Sequence, residues 1–248
     1  MRSLWLLLLL LVPAQQEAPL TIVSQTSVRR IPNAEMGEAP LPRQLKEFDG
    51  LETTIRIRNG TARIDSSRAV TGIPPGSYWL TQADGATVVV TPSTKTYYRL
   101  PALPSPPSAP GGEPTWTTTR TGERSEMLGF PVERVKSEMR IPIDLPPELR
   151  EAMPAEMRDL TVAIDAWVTS ALSMKGLSHA MMPINMSPSQ PHIKGAFDGL
   201  ALRQVVRLPM LPAEIETAVV SISRSSLENA LFDIPSDFRE VPAPPRGR

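Results

Sequence analysis

Cysteine is absent from all 248 residues, which excludes disulfides, thiolate zinc sites, Cys nucleophiles and acylation of a lipobox cysteine. Histidine is scarce, with 2 residues, so imidazole chemistry has His179 and His192 as its candidates. Aromatic residues make up 5% of the chain. Charge of one sign is lacking as well, because Lys plus Arg is 26 and Asp plus Glu is 26. A neutral chain with no long basic run has no electrostatic footprint for nucleic acid. The one abundance is proline, at 28 residues, about twice the usual ~5%. Long uninterrupted helices are therefore disfavoured.

The N-terminus carries Arg2, then an apolar run from Leu4 to Val12 and a small residue, Ala14. That is the pattern of a secretory signal peptide over 1–14, cleaved after Ala14. Nine apolar residues at ~1.5 Å each cannot cross a ~30 Å hydrocarbon core. No later stretch reaches the ~18 apolar residues of a spanning helix. The expectation is an exported protein, periplasmic or extracellular, with no transmembrane segment once mature.

Asn59-Gly60 separates two alternating runs, Thr53–Arg58 and Thr61–Asp65. Asn-Gly accepts the positive φ that both central residues of a type I′ turn need. Pairing outward sets Arg56 opposite Arg63 and Ile55 opposite Ile64. Ile55, Ile57, Ala62 and Ile64 then share one face and the arginines share the other. By the same logic Asp84-Gly85 joins Tyr78–Ala83 to Ala86–Thr91, with Leu80 facing Val89 and Trp79 facing Val90. Lys95–Leu100 adds a third strand to that meander.

Residues 101–114 hold six prolines and read as an exposed, extended loop. Strands resume at Trp116–Arg120. Glu126–Leu128 and Val132–Ile141 follow, joined by Gly129-Phe130-Pro131. Asp144 caps a kinked helical insertion over Pro146–Arg158. Thr161–Val168, Leu200–Leu208 and Glu214–Arg224 are further strands, before a turn-rich segment from Ser225 to Val241 and a flexible tail, 242–248. About ten or eleven strands with no βαβ alternation predict a mainly β fold, an antiparallel curved sheet or open half-barrel with a short helical lid. Residues 15–248 read as a single domain.

Several stretches resemble a family of secreted bacterial domains of unknown function whose fold is related to the LolA-type lipoprotein carriers. They are Ala86–Val90 with Thr96–Pro101, then Gly122–Val135, and Asp165–Val168. The most specific is the closing run Ser221–Val241, similar to a terminal L-x-x-x-L-F-x-x-P-x-x-[YF] signature. The resemblance implies a half-open barrel whose concave face is covered by helices. In the lipoprotein carriers that hollow holds acyl chains. The shared motifs are packing motifs and carry no catalytic residue.

Trp79, Trp116 and Trp167, with Tyr97, Tyr98 and Phe197, are candidates to line an apolar cavity; ordinary core use is the alternative. The segment from Met174 to His192 gathers four of the 11 methionines and both histidines. Met181 and Met182 are ligand-lining candidates, since Met adapts to varied apolar partners. His179, Met181, Met182, Met186 and His192 are also donors that suit copper. Nucleophilic serine chemistry lacks a recognisable elbow or Ser-x-x-Lys motif, so no catalytic residue and no cofactor are expected. The sequence favours a non-enzymatic protein that binds a lipid or a lipidated partner. A structural envelope module without a small ligand is the alternative, and a Met/His copper protein the third.

Overall fold

The computed structural model describes residues 18–31, 41–69, 74–82, 86–100, 115–142, 146, 148, 159–172, 199–207 and 213–244. The expected leader over 1–14, the Pro-rich loop, nearly all of Pro146–Arg158, Phe197 and the entire Met/His segment lie outside them.

Among the described residues twelve strands form one sheet. They are β1 (Leu20–Arg30), β2 (Leu51–Arg58), β3 (Thr61–Ser66), β4 (Tyr78–Thr81), β5 (Thr87–Thr91) and β6 (Thr96–Arg99). The second half comprises β7 (Thr115–Met127), β8 (Phe130–Pro142), β9 (Asp159–Thr169), β10 (Leu200–Arg207), β11 (Ala213–Ser223) and β12 (Arg239–Glu240). Their order across the sheet is β12-β6-β5-β4-β3-β2-β1-β11-β10-β9-β8-β7. Among the described residues the edges β12 and β7 do not pair, and the sheet is curved and unclosed. The expected mainly β, antiparallel open sheet is what the chain builds, and the β12–β6 ladder is its parallel exception.

The Asn59-Gly60 hairpin has the expected register, Arg56 against Arg63 and Ile55 against Ile64, with φ of 50° and 75° at the turn. The second hairpin corrects the sequence reading by one residue. Trp79 faces Val89 and Leu80 faces Val88, because Gln82 N–H bonds to Ala86 C=O at 2.8 Å and leaves three residues in the loop. A second correction concerns the β7–β8 connection. Trp116–Arg120 and Glu126–Met127 belong to one strand with an irregularity between Arg120 and Arg124. The turn is Leu128-Gly129, with φ of 52° and 78°, and Phe130 and Pro131 already lie in β8.

β1 was not read from the sequence, yet it is central and pairs with both β2 and β11. Its alternation is intact, with Leu20, Ile22 and Ser24 turned inward, but the polar Ser24 and Thr26 at inward positions weaken the period-2 apolar signal. The register slip against β11 at Val23/Ser24 comes from an extra residue in β11, Val220. After β11 the chain doubles back as a strap. It makes a 3-10 turn at Asn229–Phe232, crosses β3 and adds β12 beside β6.

Among the described residues three hydrophobic clusters hold the sheet. The largest joins Leu20, Ile22, Ile55, Ala62, Leu200 and Leu202 among others. A second gathers Val135, Met139, Val162, Ile164, Ala166 and Val168. The third packs Tyr78, Leu80, Val88 and Val90 under Tyr97 and the strap residues Ile234 and Phe238. Leu227, Leu231, Phe232, Pro235 and Phe238 of the terminal motif thus belong to a segment that covers a sheet face. At ~25 cal/mol per Å² of apolar surface removed from water, such a cover contributes several kcal/mol.

Candidate functional site

Directly opposed residues in neighbouring strands share a face, so the ladders assign each candidate side chain to one side of the sheet. One face runs from Tyr98 through Val89, Trp79, Ile64 and Ile55. The same side continues as Val28, Ile215, Val206 and Ile164 and ends with Val162, Met139 and Trp116. Trp79 and Trp116 therefore lie on this apolar face, far apart in strand order. Trp79 is buried, at 9% exposure, and Val89 beside it is fully buried. Trp116 packs at the edge of the second cluster and donates from Nε1 to Thr118 Oγ1 at 2.8 Å. Burial pushes the Tyr98 phenol above its ordinary value.

Tyr97 and Trp167 lie on the other side. Tyr97 opposes Val90, packs in the strap-covered cluster and donates its hydroxyl to Glu240 at 3.2 Å. Trp167 opposes Arg134 and Arg203, yet it packs against the largest cluster, where the β10 bulge at Leu202 disturbs the alternation. The four aromatic candidates are thus distributed over both faces. Met181, Met182, Met186, His179 and His192 lie outside the described residues. Among the described residues no group of three His, Cys, Asp or Glu side chains could hold a metal ion.

Away from the strap, this second face is charged and laced by cross-strand pairs. Arg134 holds Asp165 through two bonds of 2.9 and 2.7 Å and reaches Glu123 at 2.9 Å. The hydrogen bond from Arg134 lowers the Asp165 carboxyl below its ordinary range and outweighs its partial burial. Arg203 binds Glu216 Oε1 at 2.7 Å. Glu216 Oε2 is buried without hydrogen-bond geometry, 3.3 Å from Arg29 Nη1. A groove of about 520 Å³ crosses this area, with Thr117, Lys136, Arg140, Ala163 and Arg207 in its walls. Another of about 520 Å³ lies between the β2–β3 hairpin and the strap, lined by Arg56, Arg63, Asp65, Leu227 and Leu231.

The second of these grooves was half legible in advance. The alternation Ile-Arg-Ile-Arg puts the arginines on the face away from Ile55. What sequence reasoning missed is the wall above them. Arg58 Nη1 donates to the Leu227 carbonyl, and Arg63 Nη1 to the Leu231 carbonyl at 3.4 Å. No local signal announces a contact across nearly 170 positions.

Fold and faces together define a β protein built as one open sheet, apolar on one side and, on the other, charged in part and strap-covered in part. No protein-family model matches the chain, and no curated protein does. Among solved structures it is similar to an uncharacterized conserved protein from Thermus thermophilus, at TM-score 0.44 and 11% identity, over 91% of each chain. It is also similar to a domain named for outer membrane lipoprotein sorting from Vibrio parahaemolyticus, at TM-score 0.34 and 8% identity, over 87% of this chain and 89% of that one. A DUF1329 family protein from Desulfovibrio piger matches at TM-score 0.33 and 8% identity, over 89% and 91% of the two chains. A lipoprotein-sorting domain and a domain of unknown function are the kinds of neighbour that the sequence resemblance named.

Proposed function

We propose that this chain is an exported, non-enzymatic protein that holds an apolar group, a lipid or the lipidated segment of a partner, against the apolar face of its open sheet. The carrying observation is that face itself. Aromatic and aliphatic side chains follow one another on it from Tyr98 to Trp116 while the sheet stays unclosed. An unclosed sheet with an apolar side offers burial to an acyl chain at about 0.8 kcal/mol per methylene. Among the described residues no helix is long and apolar enough to cross a membrane, and the leader over 1–14 supplies the export half of the reading.

A second reading keeps the protein in the envelope as a structural or interaction module with a filled interior. It is favoured by the packing of the apolar face, where Ile22, Val89 and Ala166 are fully buried against their own neighbours. Both described grooves, moreover, are lined by charged side chains.

Mass spectrometry separates the two readings. The protein is purified from its exported compartment without detergent and weighed native, then denatured, with organic extraction and elemental analysis of the same sample. A stoichiometric mass that extracts as lipid is the expected result, and an N-terminus at Gln15 accompanies it. A clean apo mass with no uptake from lipid extract overturns the cargo reading in favour of the filled module. Stoichiometric copper overturns both in favour of the Met/His segment.

A further inference from the structure

Arg56 and Arg63 are directly opposed across β2 and β3, a like-charge placement that is unfavourable unless an anion answers it. One carboxylate answers both. Asp65 Oδ2 accepts from Arg56 Nη1 at 2.6 Å, and both Asp65 oxygens accept from Arg63 at 2.8 to 3.1 Å. Arg58, two residues along the same face, spends its bond on the Leu227 carbonyl. Three guanidinium groups therefore share a face with one bound carboxylate.

The donors are unequally used. A guanidinium offers five N–H groups in a planar fork that suits an oxyanion. Arg63 is occupied by Asp65, by the Leu231 carbonyl and by the Tyr78 ring beneath it. Among the described residues Arg56 makes a single hydrogen bond, to Asp65, and its side chain is 30% exposed at the groove. The strap side of the groove supplies the Ser226 hydroxyl and the apolar walls of Leu227 and Leu231. Glu228 also lines the groove, with its exposed carboxylate opposing any anion that enters.

We propose that this groove binds an oxyanion carried on an apolar stem, the phosphate or carboxylate head of an amphiphile. The spare fork of Arg56 takes the head, and Leu227 and Leu231 take the first carbons of the stem. This site lies on the face opposite Ile55 and Trp79, so it does not rest on the cargo reading above. Glu228 tunes it, because a carboxylate at the mouth weakens capture of an anion and favours release.

The test is titration of the full mature chain, followed by backbone amide shifts, with octyl phosphate below its micelle threshold, octanoate and inorganic phosphate. Octyl phosphate or octanoate is expected to shift the amides of Arg56, Arg63 and Leu227, and to bind about tenfold more tightly than inorganic phosphate because the stem is buried. Arg56→Gln is expected to weaken binding about tenfold, the ordinary loss for a charge-assisted hydrogen bond. Glu228→Gln, on an exposed side chain that does not endanger folding, is expected to tighten binding about two- to fivefold, an effect that fades in high salt. Preferred binding of octyl phosphate over octanoate identifies a phosphate head, and the reverse a carboxylate. The proposal is overturned by no binding, by equal affinity for inorganic phosphate, by an unchanged affinity in Glu228→Gln, or by shifts confined to Trp79, Ile64 and their face. That last result supports the cargo reading alone.

Discussion

The guanidinium of Arg63 lies 3.7 Å from the centre of the Tyr78 ring, and the same group binds Asp65 and the Leu231 carbonyl. One side chain thus links two strands to the strap. Arg63→Ala is expected to lose about 2–3 kcal/mol in urea unfolding, from the stack and the charge-assisted bonds together. Arg63→Lys keeps the charge without the planar fork and falls between. Hydrogen exchange over 225–241 should accelerate in both. Tyr78 provides a second readout. Burial raises its hydroxyl above the ordinary value, and Arg63 opposes that rise, so removing Arg63 should move the Tyr78 titration to higher pH. An unchanged titration with unchanged exchange would sink this account of the strap.

Gly199 begins the turn into β10 with φ of +128°, and a Cβ built there would stand 2.3 Å from the Thr169 carbonyl oxygen. That oxygen belongs to backbone paired in the β9–β10 ladder and cannot swing aside. Gly199→Ala is expected to destabilise by roughly 3 kcal/mol or more, combining a forbidden conformation with a close contact. Gly122→Ala is the comparison. Its φ is +79° but a Cβ there meets nothing within 4 Å, so only the backbone term of about 1 kcal/mol remains. Equal losses at the two positions would show that the close approach to Thr169 is not what matters.

Two turns show how much of this fold the sequence carries. Asn59-Gly60 has the residues a type I′ turn prefers, and alternation on both sides agrees with it, so register and faces follow. Asp84-Gly85 carries the same local signal, yet the loop takes a third residue and the ladder shifts by one. Apolar residues on both faces of β4 and β5 explain the difference. Tyr78–Thr81 and Val88–Thr91 are buried throughout, so no polar side marks one register over the other. The strap buries the second face, and its side-chain hydrogen bonds to the sheet join residues 142 to 169 positions apart. Candidate lining residues fared according to the same logic. Trp79 and Trp116 fall on the apolar face, whereas Tyr97 serves the strap and Trp167 sits where bulges scramble the alternation.

Leu128-Gly129 was not recognised as a turn because leucine is a poor resident of the left-handed region. It adopts φ of +52° there and remains 46% exposed. Leu128→Asn should stabilise the protein by about 0.5–1 kcal/mol, since asparagine tolerates that conformation and the lost side chain buries little. Thermal unfolding measures the gain. A loss of stability would mean that Leu128 packs in a way its exposure conceals.

Asp165 and Arg134 supply a pH-dependent contribution whose sign is fixed. The Asp165 carboxyl is lowered in the fold, chiefly by the hydrogen bond from Arg134, while Arg134 stays charged throughout. A group lowered on folding stabilises fully above its unfolded pKa, about 3.9 for aspartate, and loses that stabilisation as pH falls through the folded value. Wild type and Asp165→Asn should therefore differ by a constant amount from pH 7 to about 5 and begin to converge only as pH falls below about 4, toward the lowered folded value. The plateau is expected near 1 kcal/mol, because side chains 19% and 29% exposed keep part of their hydration and the pair is screened. Asp237→Asn is the control. Its carboxyl is lowered by Lys95 as well, but that pair is exposed at 66% and 56%, so its removal should leave the unfolding midpoint where it is. Convergence of Asp165→Asn with wild type at neutral pH would place Asp165 among the solvated surface charges and remove the β8–β9 pair from the forces that hold this half of the sheet.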